Sequence, residues 1–133
     1  MTTNNTTSKP MLWTGRVLAT LIVLFMLFDG AMKLAMIQPV IDATTKLGYP
    51  TSTIRPIGVA AIVAALLYAF PQTAVLGAVL LTGFIGGAMA THVRVGECNY
   101  IFAGGVGVIA WLGLYLRDAR IRSLMPLRRR VAA

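Results

Sequence analysis

The chain has 133 residues, of which 57% are hydrophobic and only 12% charged, a balance too apolar for a water-soluble domain of this size. Its net charge of +8, from 12 Lys and Arg against four acids, would point a soluble protein toward nucleic acid. Here the cations cluster beside apolar runs, where they mark one face of a membrane, so nucleic acid is set aside as a partner.

In chain order, Met1 to Ser8 is rich in Thr and Asn with no apolar period. Residues 1–11 are therefore expected to form a disordered lead, with Lys9 and Pro10 near its end. An all-α domain of four transmembrane helices, an antiparallel up-down bundle, is expected over 12–118. The first helix, 12–37, opens on Leu12 and Trp13, carries Arg16 one turn in, and stops before Pro39, which cannot continue a helical ladder. A basic start, an apolar run and then Gly30 and Ala31 also fit a cleaved signal peptide. Removing that span would set the Arg-rich C-terminus and the loop between the second and third helices against the charge rule.

Residues Gln38 to Arg55 mix Asp42, Lys46, Gly48, Tyr49 and Pro50 and predict a short helix followed by a turn. The second span is placed at 54–70. After Pro71 and Gln72 comes the third, 73–92, on a connection short enough to force a hairpin. Gly83 and Gly87 have the four-residue spacing that lets helix backbones approach in lipid, and packing inside the monomer is expected for them rather than a dimer face. The fourth span, 101–116, carries Ala103 and Gly107 at similar small-residue spacing, with Trp111 and Tyr115 suited to an interfacial belt. Residues 119–133 form a basic tail.

Cations set the orientation. Lys9, Arg16 and the arginines at 117, 120, 122, 128, 129 and 130 make eight on one side, while Lys33, Lys46, Arg55 and Arg94 make four on the other. The excess marks the cytoplasm, so both termini are expected there, in a bacterial cytoplasmic (inner) membrane, with anionic lipids attracted to the tail.

Asp29 and Lys33 interrupt an apolar span and, four residues apart, share one helix face as a potential ion pair. Intramembrane charge suggests function, though a structural salt bridge or a carboxyl kept neutral by burial fits the same two residues. His92, the only histidine, ends the third helix, with Arg94 just beyond it. Both reach the depth of Lys33, so a polar pocket of Asp29, Lys33, His92 and Arg94 at the outer face is the expected functional site, with Arg16, Tyr49 and Glu97 as secondary candidates. The plainer alternative is that His92 only caps its helix, where the dipole favours it.

One histidine and one cysteine, Cys98, cannot hold a bis-histidine haem, an iron–sulfur cluster or a dithiol centre, and no metal cluster is present in the sequence. No phosphate-cradling loop or nucleophile with an adjacent base stands out. The chain is thus expected to carry no cofactor of its own and to catalyse nothing alone.

A set of residues in order is similar to a known family. It runs Gly15 and Arg16; Phe28, Asp29, Gly30 and Lys33; Leu47, Gly48, Tyr49 and Pro50; Pro71, Thr73, Ala74, Leu76, Gly77 and Ala78. It continues with Gly86, Gly87, Thr91, His92, Val93 and Arg94, and closes on Leu114, Tyr115, Leu116, Arg117 and Asp118. Over about residues 12 to 126 the chain resembles the DoxX-like family of small four-helix membrane proteins. The family is named for a subunit of an archaeal quinone-linked oxidoreductase, and most of this branch has no assigned activity. The resemblance implies an accessory or anchoring subunit of a membrane redox complex, with protein partners from that complex and quinone as the cofactor chemistry. Relatives often carry a further His and Pro in the last loop, where this chain has Glu97, Cys98, Asn99 and Tyr100, which weakens a two-histidine proton relay. The alternative is a protein or enzyme that binds a quinone or lipid in the outer pocket. A transporter fits least, since four spans without a broken helix or inverted repeat offer no usual midplane site.

Overall fold

The computed structural model describes residues 7–127. Arg128, Arg129 and Arg130, and the first six residues of the proposed lead, lie outside the described residues. The elements are α1 (Lys9–Ala35), α2 (Gln38–Lys46), a 3-10 turn (Thr51–Thr53), α3 (Ile54–Ala69), α4 (Ala74–Arg94), α5 (Tyr100–Arg117) and α6 (Ala119–Leu124). Four of them, counting the 3-10 turn with α3, are long and apolar enough to cross a membrane, and no strand occurs among the described residues. The protein is an integral membrane protein.

Local chemistry places the helix ends. α1 begins at Lys9, three residues before the start read from the sequence, because Pro10 in the first turn lacks an N–H that would be unsatisfied there anyway. It ends at Ala35 rather than at residue 37. Met36 turns left-handed (φ 53°) and its N–H closes on the Lys33 carbonyl at 3.2 Å. Pro39 then opens α2 from that helix's own first turn.

The spans form a ring in which α1 touches α3 and α5, and α4 touches α3 and α5. Glycines set the tightest approaches. A Cβ at Gly15 would lie 2.9 Å from the Gly113 carbonyl, one at Gly30 would lie 2.8 Å from the Gly58 carbonyl, and one at Gly77 would fall on the Tyr68 backbone. These three sites lock α1 to α5, α1 to α3 and α3 to α4. In lipid such close backbone packing replaces the hydrophobic drive available in water. Outward, Leu21, Phe28, Val63, Val79 and Val108 are exposed, as suits a hydrocarbon solvent.

The end of the ring where α1 begins and α5 ends is filled. Tyr68, Leu81 and Leu114 are fully buried there. The Tyr68 hydroxyl crosses the ring to donate to the Ala110 carbonyl at 2.6 Å. Arg117 donates to the Tyr68 carbonyl at 2.6 Å and sets its guanidinium 4.8 Å from the Tyr68 ring centroid, a cation–π contact. Arg122 of α6 donates to the Tyr115 and Leu116 carbonyls at 2.9 and 3.0 Å, satisfying acceptors at the end of α5.

Two expectations are corrected. Cβ atoms added at Gly83 or Gly87 would meet nothing within 4 Å, so these glycines do not pack α4 against another helix of the monomer. Trp111 is not anchored in an interfacial belt, because its indole N–H donates to Thr82 in the middle of α4 at 2.8 Å. An intramembrane N–H needs a protein acceptor, and Thr82 is the one in reach.

Candidate functional site

The other end of the ring is hollow. A cavity of about 680 Å³ opens between α1, α4 and α5, beneath α2 and the segment that follows it. Its walls are mostly apolar, with Met26, Phe84 and Val106 toward the middle of the spans, Ile57 near the loop end, and Phe25 and Phe102 on the α1 and α5 sides. Small residues make the space, since Gly83, Gly87 and Ala88 line it where larger side chains of α4 would fill it. Phe25 and Phe102 meet edge to face at 5.8 Å between centroids, and both are also exposed on the outer surface.

The polar side chains converge on the loop end of this cavity. Lys33 Nζ is hydrogen-bonded to Asp29 Oδ1, the i, i+4 pair closing on one face of α1. Lys33 is the better covered of the two, with its side chain 15% exposed against 34% for Asp29. Tyr49 Oη lies 2.9 Å from Thr91 Oγ1, and Thr91 Oγ1 lies 2.8 Å from the Gly87 carbonyl one turn back. His92 completes the wall, its Nδ1 3.1 Å from Glu97 Oε2.

Asp29, Lys33, Tyr49 and His92 thus line one cavity. Glu97 stands behind His92. Arg94 does not join them, because its guanidinium donates to the Leu47 carbonyl at 2.6 Å and lies 3.2 Å from where a Gly48 Cβ would be. Gly48 at φ 91° leaves room for that contact, and Arg94 thereby fixes the end of α2 rather than facing the cavity. Arg16 is exposed near the opposite end of α1, 13 residues or about 20 Å before Asp29 at the helical rise, and takes no part in the site.

Sequence reasoning passed over Thr91, Thr44 and Lys46. Thr44 is buried and lines the cavity, and Lys46 Nζ lies 3.2 Å from Glu97 Oε1. A signal exists for Thr44 alone, since Val40, Thr44 and Leu47, the last being the C-cap of α2, recur at helical spacing on the side that covers the cavity.

The Lys46 hydrogen bond, then the His92 one, holds the Glu97 carboxyl below its ordinary value of about 4.5. A depressed carboxyl contributes its stabilisation above its unfolded pKa and loses it as pH falls through the lowered folded value. The tie from α2 through Glu97 to α4 is therefore expected to hold from pH 7 to 5 and to loosen only in acid, as pH falls below the carboxyl's ordinary value. Spin labels at Thr45→Cys and Val95→Cys, with Cys98→Ser, would show a constant distance over the first range and a broadened one in acid. Glu97→Gln should be broadened already at pH 7, and a variant indistinguishable from the parent throughout would refute the tie.

A four-helix integral membrane protein, packed solid at one end and hollow at the other, is the class defined by these features. The chain belongs to the DoxX-like family, which it matches over residues 17–114. No curated protein and no solved structure matches it.

Proposed function

We propose that the protein binds a lipophilic small molecule with a polar head in the cavity beneath α2. The supporting observation is the cavity itself, about 680 Å³ with an apolar body and Asp29, Lys33, Tyr49 and His92 gathered toward one end. That size lies within the roughly 300–1,000 Å³ usual for ligand sites, and a few convergent polar groups on an apolar wall are their common composition. Phe25 and Phe102, exposed outward and lining the cavity as well, bring its wall to the lipid-facing surface, so that a membrane-dissolved molecule would enter by parting this pair of rings, without passage through water.

A quinone-type ring fits this description, with its oxygens at the polar end and an isoprenoid or alkyl tail along Met26, Phe84 and Val106. Such a group would supply two-electron redox chemistry when bound, while the chain's residues orient it and exclude water. With one His and one Cys, the chain offers no relay for the electrons. That supports the companion reading of an accessory or anchoring subunit beside a redox partner. The orientation in this reading puts both termini in the cytoplasm of a bacterial inner membrane, following the eight cations on the terminal side against four on the other. The cavity then opens toward the outer leaflet, and the arginine-rich terminal end meets anionic lipid.

Purification from the native membrane into nanodiscs, with mass spectrometry of everything retained, tests this. A stoichiometric lipophilic molecule that is lost in Asp29→Asn/His92→Ala is the expected result, and a redox protein in equal amount would establish the subunit reading. Protein that is empty and alone would count against both.

A further inference from the structure

A count of protons at the cavity wall reveals which half of a hydrogen bond remains on offer. The Thr91 hydroxyl has one proton, and the Gly87 carbonyl at 2.8 Å can only accept it. Tyr49, 2.9 Å from Thr91 Oγ1, must therefore be the donor in that pair, which leaves Tyr49 Oη with lone pairs alone. His92 Nδ1 faces a Glu97 carboxylate oxygen at 3.1 Å, and a carboxylate only accepts. When the ring carries a single proton, that proton therefore sits on Nδ1 and Nε2 presents a lone pair to the cavity. The Thr44 hydroxyl is spent on the Val40 carbonyl at 2.7 Å. Asp29 Oδ1 is taken by Lys33, and Asp29 Oδ2 has no partner among the described residues. Of the polar side chains lining the cavity, only Lys33 keeps free donors, and it is already drawn onto Asp29.

We propose that this acceptor-rich wall selects ligands whose polar head carries a hydroxyl or phenol O–H on an apolar body, over ketone, ester or ether heads of the same shape. The proposal rests on the binding reading above and adds its specificity. A head without a donor leaves Tyr49 Oη, His92 Nε2 and Asp29 Oδ2 desolvated and unpaired, and sites built around a hydrogen bond reject the analogue that lacks it. For redox-active rings the preferred form is then the reduced, hydroxyl-bearing one. Lys46 and Glu97 act as positioning residues, Lys46 holding the carboxylate and the carboxylate fixing the tautomer of His92.

The test compares 4-nonylphenol with 4-nonylanisole, which differ only by O–H against O–CH3. Each is titrated onto the full chain in nanodiscs, with binding referred to the probe concentration in empty discs. The phenol is expected to bind about tenfold or more tighter, the size of one well-made hydrogen bond. Tyr49→Phe and His92→Leu should each narrow that gap. Equal binding of the two probes, or a gap that neither variant changes, would overturn the acceptor assignment while leaving the cavity a binding site. If neither probe binds, the binding reading falls and this inference falls with it.

Discussion

Gly77→Ala should leave little folded protein in mild detergent, although it adds one methyl group. The Cβ would fall on the backbone of Tyr68, and backbone cannot step aside as a flexible side chain can. Overpacking usually costs about 1–3 kcal/mol, and a clash with main chain belongs above that range. The damage would spread, because α3 and α4 are joined by only the residues at 70–73, pinned by the Thr73 hydroxyl on the Leu67 carbonyl at 2.7 Å. Displacing Tyr68 also releases its hydroxyl from Ala110 and its carbonyl from Arg117, opening the packed end of the ring. Size-exclusion profiles and thermal melts of Gly77→Ala beside Gly83→Ala check this. Gly83 has open space around it, so its alanine variant should behave as the parent. A Gly77→Ala protein that melts with the parent would show that α3 and α4 do not pack this closely.

Gly87→Phe should do the reverse, sparing the fold and removing the binding. A side chain at this position meets nothing within 4 Å at its first carbon, and glycine inside a helix is itself a small cost that phenylalanine relieves. The added ring would occupy the cavity beside Thr91 and His92, one turn along α4. Stability is expected to be unchanged or slightly raised, and affinity for a lipophilic ligand to fall at least tenfold, or about 1.4 kcal/mol. Gly86→Phe is the matched control, since Gly86 is equally open but does not line the cavity. Loss of binding in both variants would mean that α4 tolerates no bulk anywhere, and retention in both would mean that the ligand sits elsewhere.

The architecture was legible because the four spans declare themselves by length and apolarity, and lipid forces each to satisfy its backbone internally as a helix. The glycines were harder. Gly83 and Gly87 have the spacing of a packing motif, whereas the tight approaches fall at Gly15, Gly30, Gly58, Gly77 and Gly113. Spacing says which residues share a face of a helix, and only the ring of neighbours says what that face meets. The same gap explains Arg94. Two residues beyond His92 along α4 it points away from the cavity, and Gly48 with its left-handed turn gives it the Leu47 carbonyl instead. Asp29 and Lys33 could be paired from their spacing alone, because i, i+4 neighbours meet on any helix. The link from Tyr49 to Thr91 could not, being set by how α2 and the turn after it fold over the end of α4.

The central claim, that the hollow end of the bundle holds a lipophilic molecule, is tested most directly by photolabelling. An alkylphenol carrying a diazirine in its tail would be equilibrated with the full chain in nanodiscs, illuminated, and its adducts mapped by peptide mass spectrometry. Adducts are expected to concentrate on cavity-lining residues such as Met26, Phe84 and Ala103, to be competed by unlabelled 4-nonylphenol and to be absent from Gly87→Phe. Adducts spread over lipid-facing positions such as Leu21, Val63 and Val108, alike in both proteins and indifferent to competitor, would contradict the claim.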